Sequence, residues 1–172
     1  MTSGVAVPGS DSLWLGEFLA AVLTRAAVVL GADAPPRRYV SAGEPVPDCN
    51  QLTVHTSALR PGAGAGNELT RPQLLPKASL LVVTVADIQV TLWRCVHGVS
   101  DHGAPHAHDL DDDGRTMARL GQALWYGLAA ESIDGTLWPL QVKPVVLWRT
   151  CAQVAPQAGI AAWKMTGEVS LT

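Results

Sequence analysis

The stretch GIAAWKMTGEVSLT, residues 159–172, limits the possible folds more than any other part of the chain. Trp163, Met165, Val169 and Leu171 alternate with Lys164, Thr166, Glu168 and Ser170. Side chains of an extended strand point to opposite faces in turn, so one side belongs to a core and the other is wet or meets a partner. Such a strand needs neighbours to complete its hydrogen bonds. Short strand patterns at 37–41 and 51–59 supply them, as do a long Val/Leu/Ile/Thr run at 80–96 and a further strand at 142–154. Leu52 and Val54 face one way in the second of these, and Thr53, His55 and Ser57 the other. The run at 80–96 is too long to stay flat, which predicts a bend or bulge near Ala86-Asp87. A turn at 156–159 joins the last two strands.

Two segments carry the three- and four-residue spacing of a helix instead. In 11–30 the apolar face is Leu15, Phe18, Leu19, Val22, Leu23, Ala26 and Leu30. Ser10 or Ser12 suits its start, Gly31 its exit, and Pro35-Pro36 forbids continuation. In 115–132 the face is Met117, Leu120, Leu124 and Leu128, with Asp134-Gly135 as the stop. The order is α-β-β-β-α-β-β, which predicts an α+β fold with two helices packed on a mostly antiparallel sheet. Residues 1–10 read as a flexible N-terminal arm, and 11–172 as a single domain with long loops at 60–79 and 97–114.

Composition narrows the function classes. At 172 residues, 48% apolar and 16% charged, the chain can bury a sizeable core and does not resemble a disordered protein. A formal net charge of -3 argues against duplex binding, which calls for a basic stripe. Cys49, Cys95 and Cys151 are odd in number, far apart and without a CxxC pair, so no disulfide framework is expected and a reduced compartment is the default. The opening residues lack the pattern of a signal peptide. The apolar run at 18–30, interrupted by Thr24 and Arg25, reads as too short to span a bilayer.

The stretch HGVSDHGAPHAHDLDDDG, residues 97–114, holds four of the five histidines: His97, His102, His106 and His108. Asp109, Asp111, Asp113 and Gly114 match the opening of a calcium-binding EF-hand loop, whose clustered carboxylates suit a hard cation. The twelfth position needs a bidentate Glu and holds Leu120, and Gly103 and Pro105 break the helix that should enter the loop. A transition-metal reading of His102, His106 and His108 fails on alignment, because Pro105 lies between the first two. The reading that explains more is a polar turn, with Asp111, Asp112 and Asp113 capping a helix that opens near Arg115. A metal-binding module or enzyme using 102–113 is the alternative.

No nucleophile elbow, Walker loop or dinucleotide fingerprint occurs, and no cofactor is expected. GAGAG at 62–66 has no strand–turn–helix context. Cys95 reads as a buried strand residue, and nothing places His55 or His97 beside it. The tryptophans Trp93, Trp148 and Trp163 on strands, and Trp14 and Trp125 on helices, read as core or interface anchors. The sequence therefore supports no enzyme.

The linear arrangement resembles a known family. DCNQLTVHTSALRPG (48–62) is a Cys-containing turn, a strand and the start of a long Gly/Pro-rich loop. VTLWRCV (90–96) ends a long strand that leads into an acidic loop and an Ala/Leu-rich helix, and the chain closes on a hairpin ending GIAAWKMTGEVSLT. From about residue 11 onward this is similar to the tail terminator and head–tail connector proteins of siphophages infecting actinobacteria. The resemblance implies a ring, commonly a hexamer, at the end of the tail tube of a virion, assembled in the host cytoplasm. Its implied partners are further copies of itself, the tail tube protein and the head-side connector or stopper. Genomic DNA would pass through the lumen without specific binding, and no membrane is involved. Arg60, Glu68, Arg71 and Lys77, on the loop 60–79, then suit contact with a neighbour. Asp109, Asp111, Asp112 and Asp113, if they face the lumen, would repel phosphates. Terminator, stopper and other connector roles stay open, as does the ring number.

Overall fold

A computed structural model of the chain describes residues 11–62, 83–98, 103–134 and 146–171. Its elements are α1 (Asp11–Leu30), β1 (Arg37–Val40), β2 (Gln51–Gly62), β3 (Val83–Cys95), α2 (Ala107–Asp134), β4 (Val146–Gln157) and β5 (Ile160–Leu171). The strands form one sheet in the order β1-β2-β3-β5-β4. All neighbours are antiparallel except β1 and β2. This is the α+β architecture, in the element order that the periodicities predict.

Both helices cover the same face of the sheet. From α1, Phe18, Val22 and Ala26 are fully buried against Leu52 and Val54 of β2 and Ile88, Val90 and Leu92 of β3. From α2, Leu120, Leu124 and Leu128 complete the core with Met165 and Val169 of β5. Two tryptophans lock α2 in place, each lying over a glycine. Trp163 donates from its indole nitrogen to the Met117 carbonyl at 2.5 Å, and a Cβ on Gly121 would sit 2.2 Å from its ring. Trp148 donates to the Leu128 carbonyl at 3.1 Å and packs over Gly167. Absent Cβ atoms at these two positions let an indole and a backbone approach closely.

The helix α1 leaves by a short 3-10 turn at Gly31–Asp33, with Gly31 at φ +57°. Ser12 lies inside this helix rather than ahead of it, and Ser10 lies outside the described residues. Thr24 and Arg25 do not interrupt it, because the Thr24 hydroxyl is satisfied by the Ala20 carbonyl one turn earlier at 2.9 Å. The segment Leu15–Asp33 is therefore, by length and composition, long and apolar enough to cross a membrane, with a mean hydropathy of 1.7. This corrects the shorter reading of 18–30. Its buried face makes it a core helix of this fold.

Other boundaries move for physical reasons. Strand β2 runs on to Gly62, so Arg60 belongs to the sheet and not to a loop. The irregularity expected in β3 sits on its partner instead: Thr56 pairs with Ile88 and Ala58 with Asp87, leaving Ser57 as the extra residue of a β-bulge. Strand β4 reaches Gln157, and the turn to β5 is Ala158-Gly159, with φ of +49° and +76°. Two positive φ values in a two-residue connection match the right-handed twist of the flanking strands. Residues 63–82, with Glu68, Arg71 and Lys77 of the expected loop, lie outside the described residues, as do 1–10 and 135–145.

The largest correction concerns α2. It begins at Ala107, two turns before the expected Arg115, so Asp109, Asp111, Asp112 and Asp113 are helical and not in a loop. Leu110 is half exposed over a cavity that it shares with Val96, Gln153 and Ala161, so no apolar periodicity marks the first turns. Carboxylates near the positive end of the helix dipole favour helix there without burying anything. Leu120, the residue that denies an EF-hand its glutamate, is 1% exposed in the core.

The cysteines also differ from expectation. Cys49 and Cys95 form a disulfide, with their Cα atoms 4.9 Å apart. Gln51 lies opposite Trp93, and Cys49 and Cys95 continue that antiparallel register two residues outward. Cys95 is thus an exposed, cross-linked residue at the strand end, not a buried one. Cys151 stays free, its thiol pushed up to about 11 by burial, which removes it as a nucleophile near neutrality.

Candidate functional site

Among the described residues, three surfaces combine exposure with chemistry: the start of α2, the sheet face without helices, and a groove between α1 and β1. At the start of α2, Asp113 turns back toward the end of β3. Its Oδ2 accepts the His97 backbone N–H at 2.6 Å and lies 2.9 Å from His97 Nδ1. The hydrogen bond to Asp113, then its charge, holds the His97 imidazole above its ordinary value of 6.5. Asp111 pairs with Arg115 one turn on at 2.8 Å, and His108 lies 3.5 Å from Asp112 and 3.7 Å from Asp109. His106 is exposed, and His102 lies outside the described residues. The carboxylates point outward round the helix and do not converge. Among the described residues, no group of three or more His, Cys, Asp or Glu is placed to hold a metal ion.

The raised His97 value gives a pH dependence of defined sign. A group whose folded-state pKa exceeds its unfolded value adds stability that is fully present below about 6.5 and fades as pH rises through the folded value. The Tm difference between the wild type and Asp113→Asn should therefore be larger at pH 5.5 than at pH 8.5. It should not vanish at high pH, because the backbone N–H of His97 also uses this carboxylate. A difference that is constant across that range would rule out the charge pairing.

The helix-free face of the sheet is polar yet largely covered. Gln51, Thr53, His55 and Thr91 point away from the helices and are all at most 2% exposed. The connection 41–50, needed because β1 and β2 run parallel, brings Glu44 and Val46 to this side. Lys164 Nζ lies 3.4 Å from Glu44 Oε1, and the Gln51 amide donates to the Val46 carbonyl at 2.7 Å. Burial holds the His55 imidazole below its ordinary value, with Glu44 opposing and Lys164 adding to that shift. The shift favours the neutral imidazole, and His55 lies opposite Gln89, six residues along β3 from Cys95.

Further along the same face, Arg60 is held within its own sheet. It lies 3.2 Å from Asp87 and 2.6 Å from Glu168, whose other oxygen is 3.0 Å from Arg149. These residues line a shallow cavity of about 300 Å³ with Ser57 and Thr166. Two arginines and two carboxylates neutralise one another there. Glu168→Ala removes the acceptor that both guanidiniums share and should cost about 2 kcal/mol in denaturant unfolding, with Glu168→Gln intermediate. An unchanged midpoint for Glu168→Ala would mean that the network adds nothing to stability.

The third surface is apolar. Leu23, Thr24, Ala27, Val28, Ala34 and Arg38 line a groove of about 480 Å³ between α1 and the edge strand β1. Val28 is 58% exposed in it. Sequence reasoning assigned α1 a buried face but gave no sign that its other side is apolar as well. The signal was present in the run Ala20, Thr24, Val28, which contains no charge at one-turn spacing.

No family model matches this chain, and no curated protein matches it.

Proposed function

We propose that the chain is a virion structural protein: a tail terminator subunit that assembles into a ring, closes the end of the tail tube and joins it to the head-side connector. The observation that carries this reading is α1. Over Leu15–Asp33 its mean hydropathy is 1.7, but only 33% of the segment is buried within the protomer. On its outer side Val28 is 58% exposed beside Ala20 and Thr24, and association of protomers would enclose what the single chain leaves open. The linear resemblance described above supplies the kind of assembly. Arg60, Asp87, Glu168 and Arg149 neutralise one another, and His97 and Asp113 brace a helix, so these groups are engaged within the protomer. The alternative within the same class is another neck protein, a connector or stopper.

The test is the mass and shape of the purified chain, by light scattering and negative-stain electron microscopy, alone and mixed with tail tubes. Rings of uniform diameter, free or capping tube ends, are the expected result. Rings that cap heads and leave tubes bare would move the protein to the connector or stopper position. A monomer at high concentration that never binds tubes or heads would refute the reading.

A further inference from the structure

We propose that the connection 41–50 is an acid-sensitive strap. Near neutral pH it covers the polar row on the helix-free face of the sheet, and it lifts from that row when His55 takes up a proton. Both ends of the connection are fastened. At one, the Ser41 backbone N–H donates to the Val54 carbonyl at 2.9 Å; at the other, Cys49 is bonded to Cys95 and the Val46 carbonyl accepts from the Gln51 amide. The stretch between them is held far less. Ala42, Gly43 and Glu44 are exposed, and only Pro45 of the whole connection is buried. Among the described residues, the one polar tie from 42–45 to the sheet is the exposed pair of Glu44 with Lys164 of β5. A segment with so few contacts opens locally at small cost while the rest of the fold stays closed.

His55 supplies the trigger. It is 2% exposed, and its Nδ1 is buried with no hydrogen-bond partner among the described residues. A neutral imidazole tolerates this, because one of its nitrogens carries no proton. An imidazolium carries N–H groups on both, so protonation beneath the strap would bury a charge together with an unpaired donor. Its surroundings offer little relief. The strap presents Glu44 and β5 presents Lys164, charges of opposite sign that already face each other. The other strands add only neutral groups: Gln89 and Thr91 from β3, and Tyr39 from β1, whose hydroxyl is engaged with Gln51. Water is the available partner, and the imidazole reaches it when 42–45 moves away. Opening also bares Thr53 and Thr91, so acid turns a covered face into one that offers donors and acceptors.

The Thr53 methyl, 0% exposed in the covered row, reports the opening through its NMR relaxation by a neutral gadolinium chelate in solution. In the wild type this relaxation should rise from pH 7.5 to pH 5.0, in step with protonation of the His55 ring read from its nitrogen shifts. For an imidazole that stays neutral while covered, linkage allows the open-to-closed ratio to grow by about thirtyfold over that range. His55→Gln, which keeps His97, His106 and His108, should show no rise. Glu44→Gln, at an exposed position the core does not need, separates coupled opening from titration under a closed strap. It removes the tie to Lys164 and also the carboxylate's attraction for the proton. Coupled opening therefore shifts to higher pH in this variant, whereas titration in place shifts to lower pH. A midpoint that falls in Glu44→Gln, a Thr53 methyl that stays shielded down to pH 5.0 in the wild type, or a rise that persists in His55→Gln would each overturn the proposal.

Discussion

Reducing the Cys49–Cys95 disulfide will lower the free energy of unfolding by about 4 kcal/mol, the loop-closure entropy of a cross-link of this span. The two cysteines are 46 residues apart in sequence, so the bond removes many conformations from the unfolded chain. In the folded chain it joins residues that the β2–β3 register already sets opposite each other, so its loss leaves the sheet in place. The effect therefore belongs mainly to the unfolded state. Guanidinium unfolding of the oxidised protein, the reduced protein and the Cys49→Ser/Cys95→Ser double variant measures it directly. The reduced and double-variant curves should coincide at a lower midpoint, with a steeper dependence on denaturant because their unfolded chain exposes more surface. Three superimposed curves would show that the bond contributes nothing.

The second large effect is expected at Gly121. Alanine is the better helix former by about 1 kcal/mol, so on propensity alone Gly121→Ala should stabilise α2. The tertiary context reverses the sign, since the new Cβ would lie 2.2 Å from the Trp163 ring. The indole cannot retreat without losing its hydrogen bond to the Met117 carbonyl, and the core behind it is full. Overpacking of about 3 kcal/mol and a lost hydrogen bond of about 1 outweigh the propensity gain, leaving a net destabilisation near ~3 kcal/mol. The double variant Gly121→Ala/Trp163→Leu should be more stable than the sum of the single changes predicts, because the smaller side chain removes the clash. Additive losses would mean that Gly121 and Trp163 do not meet.

Legibility in the sequence followed the range of each interaction. Both helices and β5 were readable because Phe18, Val22 and Ala26, or Met165 and Val169, repeat with the period of their own element. The start of α2 was not readable, because Asp109 to Asp113 are held by the helix dipole and by His97 and bury no apolar stripe. The disulfide was hidden by register. Only once Gln51 is set opposite Trp93 do Cys49 and Cys95 become neighbours. The cluster of Arg60, Asp87, Glu168 and Arg149 draws on β2, β3, β5 and β4, and no local pattern links residues so far apart. For the same reason Arg60, assigned from sequence to a loop that reaches a neighbour, was placed on the wrong element.

The order of strands in the sheet also sets a timetable. Strand β5, the last in chain order, lies inside the sheet between β3 and β4, pairing Thr84 with Leu171 and Cys95 with Ile160. While the ribosome makes the intervening stretch, β3 has an open edge with Val85, Ile88, Val90 and Leu92 along it. At about 5–20 residues per second, the roughly 75 residues involved take on the order of 4–15 s. During that interval a crowded population of nascent chains can pair edge to edge. Native folding therefore waits until β5 has been made. Yield in a recombinant host should consequently respond to translation speed and temperature more than the stability of the finished fold would suggest.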